Sequence, residues 1–208
     1  MRYYAVIVLV LLFQNTFSQT YSFDRFIQYN GNRLERTIFM FNSKNTRYYF
    51  VARSYGEEII GNIIDLENKV RHRYSLTNAE NEVSFEYLSS SAETETKSSC
   101  YDKNNVIEVT ATPLDSLNTN FTVLKFKNSK KKRIIQSAKI TAAKSEIPTF
   151  SLLMKMLFGH FADCHKIVLP ENYMPTSVTI DYFNGIKTQE KLIQNKEITT
   201  VLSVSKKT

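Results

Sequence analysis

Residues 148–164 read PTFSLLMKMLFGHFADC. The polar positions Ser151, Lys155, Gly159 and Asp163 recur every four residues, so they form one narrow stripe down a helix, widened at its lower end by His160. Everything between them is apolar: Phe150, Leu152, Leu153, Met154, Met156, Leu157, Phe158, Phe161 and Ala162. A helix apolar around most of its circumference is buried on most sides. Some fifteen residues at 1.5 Å each span roughly 22 Å. That is short for a bilayer, which needs about 20 apolar residues, and Lys155 interrupts the run. The stretch therefore predicts a core helix inserted into a sheet rather than a membrane span. Ser145 and Thr149 are both candidate caps, and Pro148 suits a first turn.

Outward from this helix the pattern changes to strands. Residues 21–29 alternate, with Tyr21, Phe23, Arg25, Ile27 and Tyr29 on one side and Ser22, Asp24, Phe26 and Gln28 on the other. Further strand patterns cover residues 34–41, 47–53, 59–66, 69–76 and 83–88, with turns at residues 30–32, 42–45 and 67–68. Residues 89–99, rich in serine and threonine, read as a mobile loop. Strands follow over 106–111, 121–127 and 133–141. After the helix come residues 176–183, 186–193 and 198–204, with Asn184-Gly185 predicting a type I′ hairpin turn. Short strands spaced by about a dozen residues exclude βαβ units. The fold class expected is mainly β (α+β): one large curved antiparallel sheet or half-open barrel of about ten strands, with one inserted apolar helix, each burying the other's apolar face.

The chain opens MRYYAVIVLVLLFQNTFSQTY. Arg2 provides a positive start, residues 5–13 an apolar block, and Thr16 and Ser18 the small residues before a cleavage point at Gln19. Residues 1–18 thus read as a secretory signal peptide and residues 19–208 as a single β-rich domain, exported to the periplasm or beyond. The net charge is +7. Removing residues 1–18 takes away only Arg2 of the 27 basic side chains against 20 acidic ones, leaving about +6. That excess favours acidic surfaces but does not argue for nucleic acid in an exported chain. The two cysteines, Cys100 and Cys164, read first as a disulfide in an oxidising compartment and second as buried thiols. A bridge would close a loop of about 65 residues, worth about 3–4 kcal/mol.

Candidate chemistry is sparse. His160, Asp163, Cys164 and His165 cluster at the helix end, and His160 and Cys164 share a face as metal ligands on helices do. A fourth ligand would have to be His72, and the cluster reads first as a disulfide cysteine flanked by polar helix-end residues. No cysteine-protease signature surrounds either cysteine, the five glycines make no phosphate loop, and there is no serine nucleophile elbow. The chain reads as non-enzymatic, with no cofactor implied. Lys125, Lys127, Lys130, Lys131, Lys132 and Arg133 form a basic run. It is either a contact for an anionic membrane surface or a solvated hairpin tip whose charge discourages edge pairing.

Three segments, YSFDRFIQY, FNSKNTRYYF and CHKIVLPENYMPTSVTIDYFNG, together resemble small secreted proteins of unknown function in Bacteroidetes bacteria. That resemblance implies an exported location and no activity. In architecture alone, the expected sheet with its helix is similar to LolA/LolB-like lipoprotein carriers, which hold acyl chains between a half-open barrel and its helices. Such an architecture implies a partner that is a lipid or lipoprotein, with Phe150, Leu153, Met154, Leu157 and Phe161 forming the helix side of an apolar site. Their methionine content suits an adaptable ligand wall. The alternative is a structural protein of the cell envelope whose helix fills the core and whose protein partners use edges or loops.

Overall fold

A computed structural model describes residues 19–32, 36–55, 58–79, 82–92, 104–147, 150–151 and 172–204. Eleven strands form a single antiparallel sheet: β1 (Gln19–Gly31), β2 (Arg36–Asn42), β3 (Asn45–Tyr55), β4 (Glu58–Asp65), β5 (Val70–Ala79), β6 (Glu82–Ala92), β7 (Val106–Pro113), β8 (Asn118–Phe126), β9 (Ile134–Lys144), β10 (Tyr173–Asp181) and β11 (Lys187–Val204). Their order in space is β6-β5-β4-β3-β2-β1-β11-β10-β9-β8-β7. The sheet is thus two meanders joined where the first strand pairs with the last. It is open, with β6 and β7 as edges, rather than closed into a barrel.

Two strand boundaries differ from the sequence pattern for clear reasons. Residues 186–193 and 198–204 belong to one long strand, because residues 194–197 between them also pair with β1. Ser89, Ser90 and Ser91, expected in a loop, continue β6 because each pairs with β5: Arg73 with Ser89, His72 with Ser90 and Arg71 with Ser91. The turn before β11 is also not type I′. Positive φ falls on Phe183 (53°) and Gly185 (85°), not on Asn184 and Gly185.

A bulge between β1 and β11 decides which side of the sheet the residues of β1 serve. The register shifts between Phe23 and Arg25, where two steps of β1 lie opposite three of β11, and side-chain alternation along β1 inverts across that site. Tyr21 and Phe23 therefore pack on one face with Met40, Phe50, Ile63, Tyr74, Leu76, Leu202 and Val204. Ile27 and Tyr29, of the same parity, pack on the other with Phe39, Phe41, Phe121, Val123, Ile140, Val178 and Ile180. The alternation through residues 21–29 does not put all five odd positions on one side. Asp24 holds the irregular site by accepting bonds from the Ser43 backbone N–H (2.8 Å) and hydroxyl (2.6 Å) in the β2–β3 turn.

The first meander is curled around the Phe50 face. In a flat sheet, β5 would stand about 19 Å from β1, four spacings of about 4.8 Å. Here the Tyr21 hydroxyl on β1 lies 2.9 Å from His72 Nε2 on β5. The Tyr74 hydroxyl donates to the Ser203 carbonyl on β11 at 3.2 Å. Edge-on aromatic contacts fill the curl, with Phe50 against Phe23, Tyr74 and Phe85. Gly61 makes room for them: a Cβ there would fall 2.1 Å from Phe50 Cζ.

Of the helix expected over residues 148–164, Phe150 and Ser151 are described, both helical, and these two residues do not establish an inserted helix. Residues 152–171 lie outside the described residues, as do residues 1–18, expected as a signal peptide, and both cysteines, Cys100 and Cys164. No helix among the described residues is long and apolar enough to cross a membrane, which leaves spans made by strands untouched.

Candidate functional site

The apolar face carrying Tyr29 spans six adjacent strands, five of which supply its buried residues by alternation. Ile27 and Tyr29 of β1 stand beside Phe39 and Phe41 of β2. Across the seam, β8 contributes Phe121 and Val123, β9 Ala138, Ile140 and Ala142, and β10 Val178 and Ile180. Paired positions align them: Phe121 faces Ile140, and Ile140 faces Val178. Small residues in β9 leave the centre of the face shallow, while Tyr49, Val51, Val109, Met174 and Leu192 form its half-buried margin.

Phe150 sits on this face. It is fully buried, and its ring centroid lies 4.7 Å from that of Phe121, which is met edge-on from another side by Tyr173 at 5.1 Å. Burying a phenylalanine of this kind stabilises the docked segment by about 2–3 kcal/mol. Beside Tyr173 opens a cleft of about 490 Å³, lined also by Lys144, Ser145, Glu146 and Asn172. These residues flank the chain segment 148–171 on both sides, so the cleft lies where that segment leaves the sheet and returns to it. Of the five helix positions expected to line an apolar site, Phe150 is placed against the sheet. Leu153, Met154, Leu157 and Phe161 lie outside the described residues.

Tyr29 gives the face a polar anchor. Its hydroxyl donates to the Pro175 carbonyl at 2.9 Å, across β11. Burial pushes the phenol well above its ordinary range, with the Glu190 carboxylate adding to the effect. Pro175 lies at a register shift between β9 and β10, where a missing N–H is tolerated.

The opposite face carries a polar network that alternation alone does not reveal. The Tyr21 hydroxyl donates to Asp65 Oδ2 at 2.7 Å. Its oxygen is then free to accept from His72 Nε2–H at 2.9 Å, which leaves Nδ1 as the acceptor for the Ser90 hydroxyl at 2.6 Å. The Ser90 oxygen in turn accepts from the Tyr87 hydroxyl at 2.6 Å. One acceptor-only group, the Asp65 carboxylate, sets the direction of the whole chain. Burial opposes charge on Asp65, but bonds from the Asn68 backbone and side chain, from Tyr21 and from the Glu67 N–H outweigh it and hold the carboxyl below its ordinary range. Burial lowers the His72 pKa, with Asp65 pulling the other way, so the ring is neutral near pH 7. Burial likewise raises Tyr21, and Tyr74 is pushed up to about 12.

His72, considered from sequence as a fourth metal ligand, thus spends both ring nitrogens on Tyr21 and Ser90. Its suggested companions His160, Asp163, Cys164 and His165 lie outside the described residues. Among the described residues, no three His, Cys, Asp or Glu side chains gather as metal ligands do. Lys130, Lys131, Lys132 and Arg133 are exposed at the β8–β9 hairpin tip, where Lys131 pairs with Glu108.

The network escaped sequence reading because its members come from β1, β4, β5 and β6, and only the curl unites them. A lone histidine on an alternating strand was the single available signal. No protein-family model matches the chain, and no curated protein matches it.

Proposed function

We propose that this protein is an exported, non-catalytic binding protein that holds an apolar chain of acyl type, free or as part of a lipoprotein, against the Tyr29 face of the sheet. The observation that carries this reading is the seat of Phe150. Phe150, near the start of the strongly apolar stretch 148–164, packs with Phe121 and Tyr173 on a face spanning six strands. Such a face, framed by half-buried side chains, opens beside Tyr173 into a cleft of about 490 Å³ lined mainly by polar residues, a volume within the range of small-ligand sites. In this reading the passenger lies between sheet and helix, touching Phe150, Leu153, Met154, Leu157 and Phe161. Lys144 and Glu146, both exposed, stand at its polar end.

The test is binding of a fluorescent fatty acid to the exported chain, with native mass spectrometry for co-purifying lipid. The expected result is saturable binding with Kd of about 1 μM, or about −8 kcal/mol. Met154→Lys with Leu157→Lys weakens it at least about tenfold by placing charge against the acyl chain. A well-folded chain that binds no probe and carries no lipid sinks the reading. It would favour an envelope-interaction protein with a filled core, which the dense aromatic packing around Phe50 on the other face already resembles.

A further inference from the structure

We infer that two neighbouring hairpin tips, β8–β9 and β10–β11, form a docking surface for an anionic membrane. Sequence alone offered two explanations for the basic run, a membrane contact or a solvated hairpin tip whose charge discourages edge pairing, and the topology removes the edge-pairing part of the second. β8 pairs with both β7 and β9, and β9 with both β8 and β10, so neither is an edge strand. Cations at their tip guard no exposed ladder, and protection against edge pairing does not explain them. Residues 127–133 carry five cations (Lys127, Lys130, Lys131, Lys132, Arg133) and no carboxylate, all five exposed. The Lys131–Glu108 pair accounts for one of them.

The second observation is the apolar tip next door. The β10–β11 turn exposes Tyr182 at 36%, Phe183 at 56% and Ile186 at 41%. Register places the two tips side by side. β9 begins at Ile134, three residues beyond Ser137, which pairs with Asp181 at the end of β10. The base of the basic loop therefore stands about 10 Å beyond the end of β10, and the five residues between β10 and β11 reach toward the same level.

The aromatic turn is built rather than loose. The Phe183 N–H donates to Asp181 Oδ1 at 2.8 Å, the Tyr182 N–H to the Ile186 carbonyl at 3.1 Å, and the Ile186 N–H to Asn184 Oδ1 at 3.0 Å. This holds Phe183 at φ 53°, a region that bulky side chains rarely adopt, with its ring in solvent. The basic tip is closed likewise: the Lys131 N–H donates to the Asn128 carbonyl and the Lys127 N–H to the Arg133 carbonyl.

Cations that attract lipid phosphate, beside aromatic and aliphatic side chains that enter the headgroup region, are the two parts of a peripheral membrane contact. The occupant is thus a bilayer surface rich in anionic lipid. The surface stands at one end of the sheet, and it does so whether or not an acyl chain occupies the Tyr29 face.

The exported chain is tested by flotation with vesicles of phosphatidylcholine containing 30% phosphatidylglycerol, against phosphatidylcholine alone. Binding to the anionic vesicles only, released by 1 M salt, is expected. Each cation removed lowers the partition about fivefold, so Lys130→Gln, Lys132→Gln and Arg133→Gln together lower it about a hundredfold. Phe183→Asn, which tolerates positive φ, weakens binding several-fold while leaving the urea midpoint unchanged. The chain contains no tryptophan, so Phe183→Trp installs a unique reporter whose emission shifts to the blue and is quenched by brominated lipid. Equal binding to both vesicle types, parent-like binding by Phe183→Asn, no blue shift with anionic vesicles, or displacement by millimolar glycerol phosphate would each overturn the proposal. Fatty-acid binding is read in a separate assay, so failure of one proposal is distinguishable from failure of the other.

Discussion

His72 shows how one buried side chain couples the fold to pH. The folded ring sits in the curl between Tyr21, Asp65, Ser90 and Tyr87, and burial keeps its pKa below the ordinary 6.5. As pH falls through 6.5, the unfolded chain takes up a proton that the folded chain refuses, so stability declines as pH drops. The contribution is fully present above that value and lost between it and the lower folded pKa. Asp65 acts further down: its carboxylate stabilises the fold above its ordinary 3.8, and that contribution fades as pH falls below it. The urea midpoint should therefore decline between pH 7 and pH 5. His72→Gln should flatten the decline in that window, while the loss near pH 4 and below remains. A slope unchanged by His72→Gln would show that the imidazole is not its source. The raised tyrosines change nothing here, because they stay protonated throughout.

The bulge between β1 and β11 is the feature on which the two cores depend. Without it, Tyr21 and Phe23 would project to the same side as Ile27 and Tyr29, and one of the two apolar clusters would lose its share of the central strand. Asp24 secures the bulge by binding the Ser43 N–H and hydroxyl across to the β2–β3 turn. Bonds from Ser43 hold its carboxyl below the ordinary range despite the opposing effect of desolvation. Asp24→Ala should cost about 1–2 kcal/mol, measured by urea unfolding, since it removes two charge-assisted bonds and frees the register. A loss under about 0.3 kcal/mol would mean the bulge is held by packing alone. The β6 serines teach the same lesson from the other side. Ser89, Ser90 and Ser91 have a loop's composition, yet pairing with β5 makes them strand and brings Ser90 to His72.

The sheet as a unit rests on the pairing of its first and last strands. Among the described strands, β1 against β11 is the sole strand pairing between the meander β1–β6 and the meander β7–β10 with β11. The curl adds Tyr74 to Ser203 on the same seam. Ending the chain after Ile186 removes β11 and exposes both β1 and β10 as long apolar edges, a template for aggregation. Such a chain should lose cooperative unfolding and precipitate, whereas the full chain unfolds in one transition followed by tyrosine near-UV circular dichroism. A truncated chain that remained soluble, with a single sharp transition, would show that each meander folds alone.

Sequence by itself determined that this chain is a large antiparallel sheet. Alternation is a local property, fixed by two residues per pleat, and it located ten of the eleven described strands to within a few positions while splitting β11 in two. It also singled out Phe150 and the basic tip, because apolar and charged runs are visible without partners. What only the tertiary structure decided is everything that depends on who lies opposite whom. The side served by Ile27 and Tyr29 turned on one inserted residue. The setting of His72 turned on a curl that joins four strands. The interior place of the basic hairpin turned on strand order. Each is set by contacts between residues distant in the chain, and pairwise geometry of that kind leaves no periodic trace in the sequence.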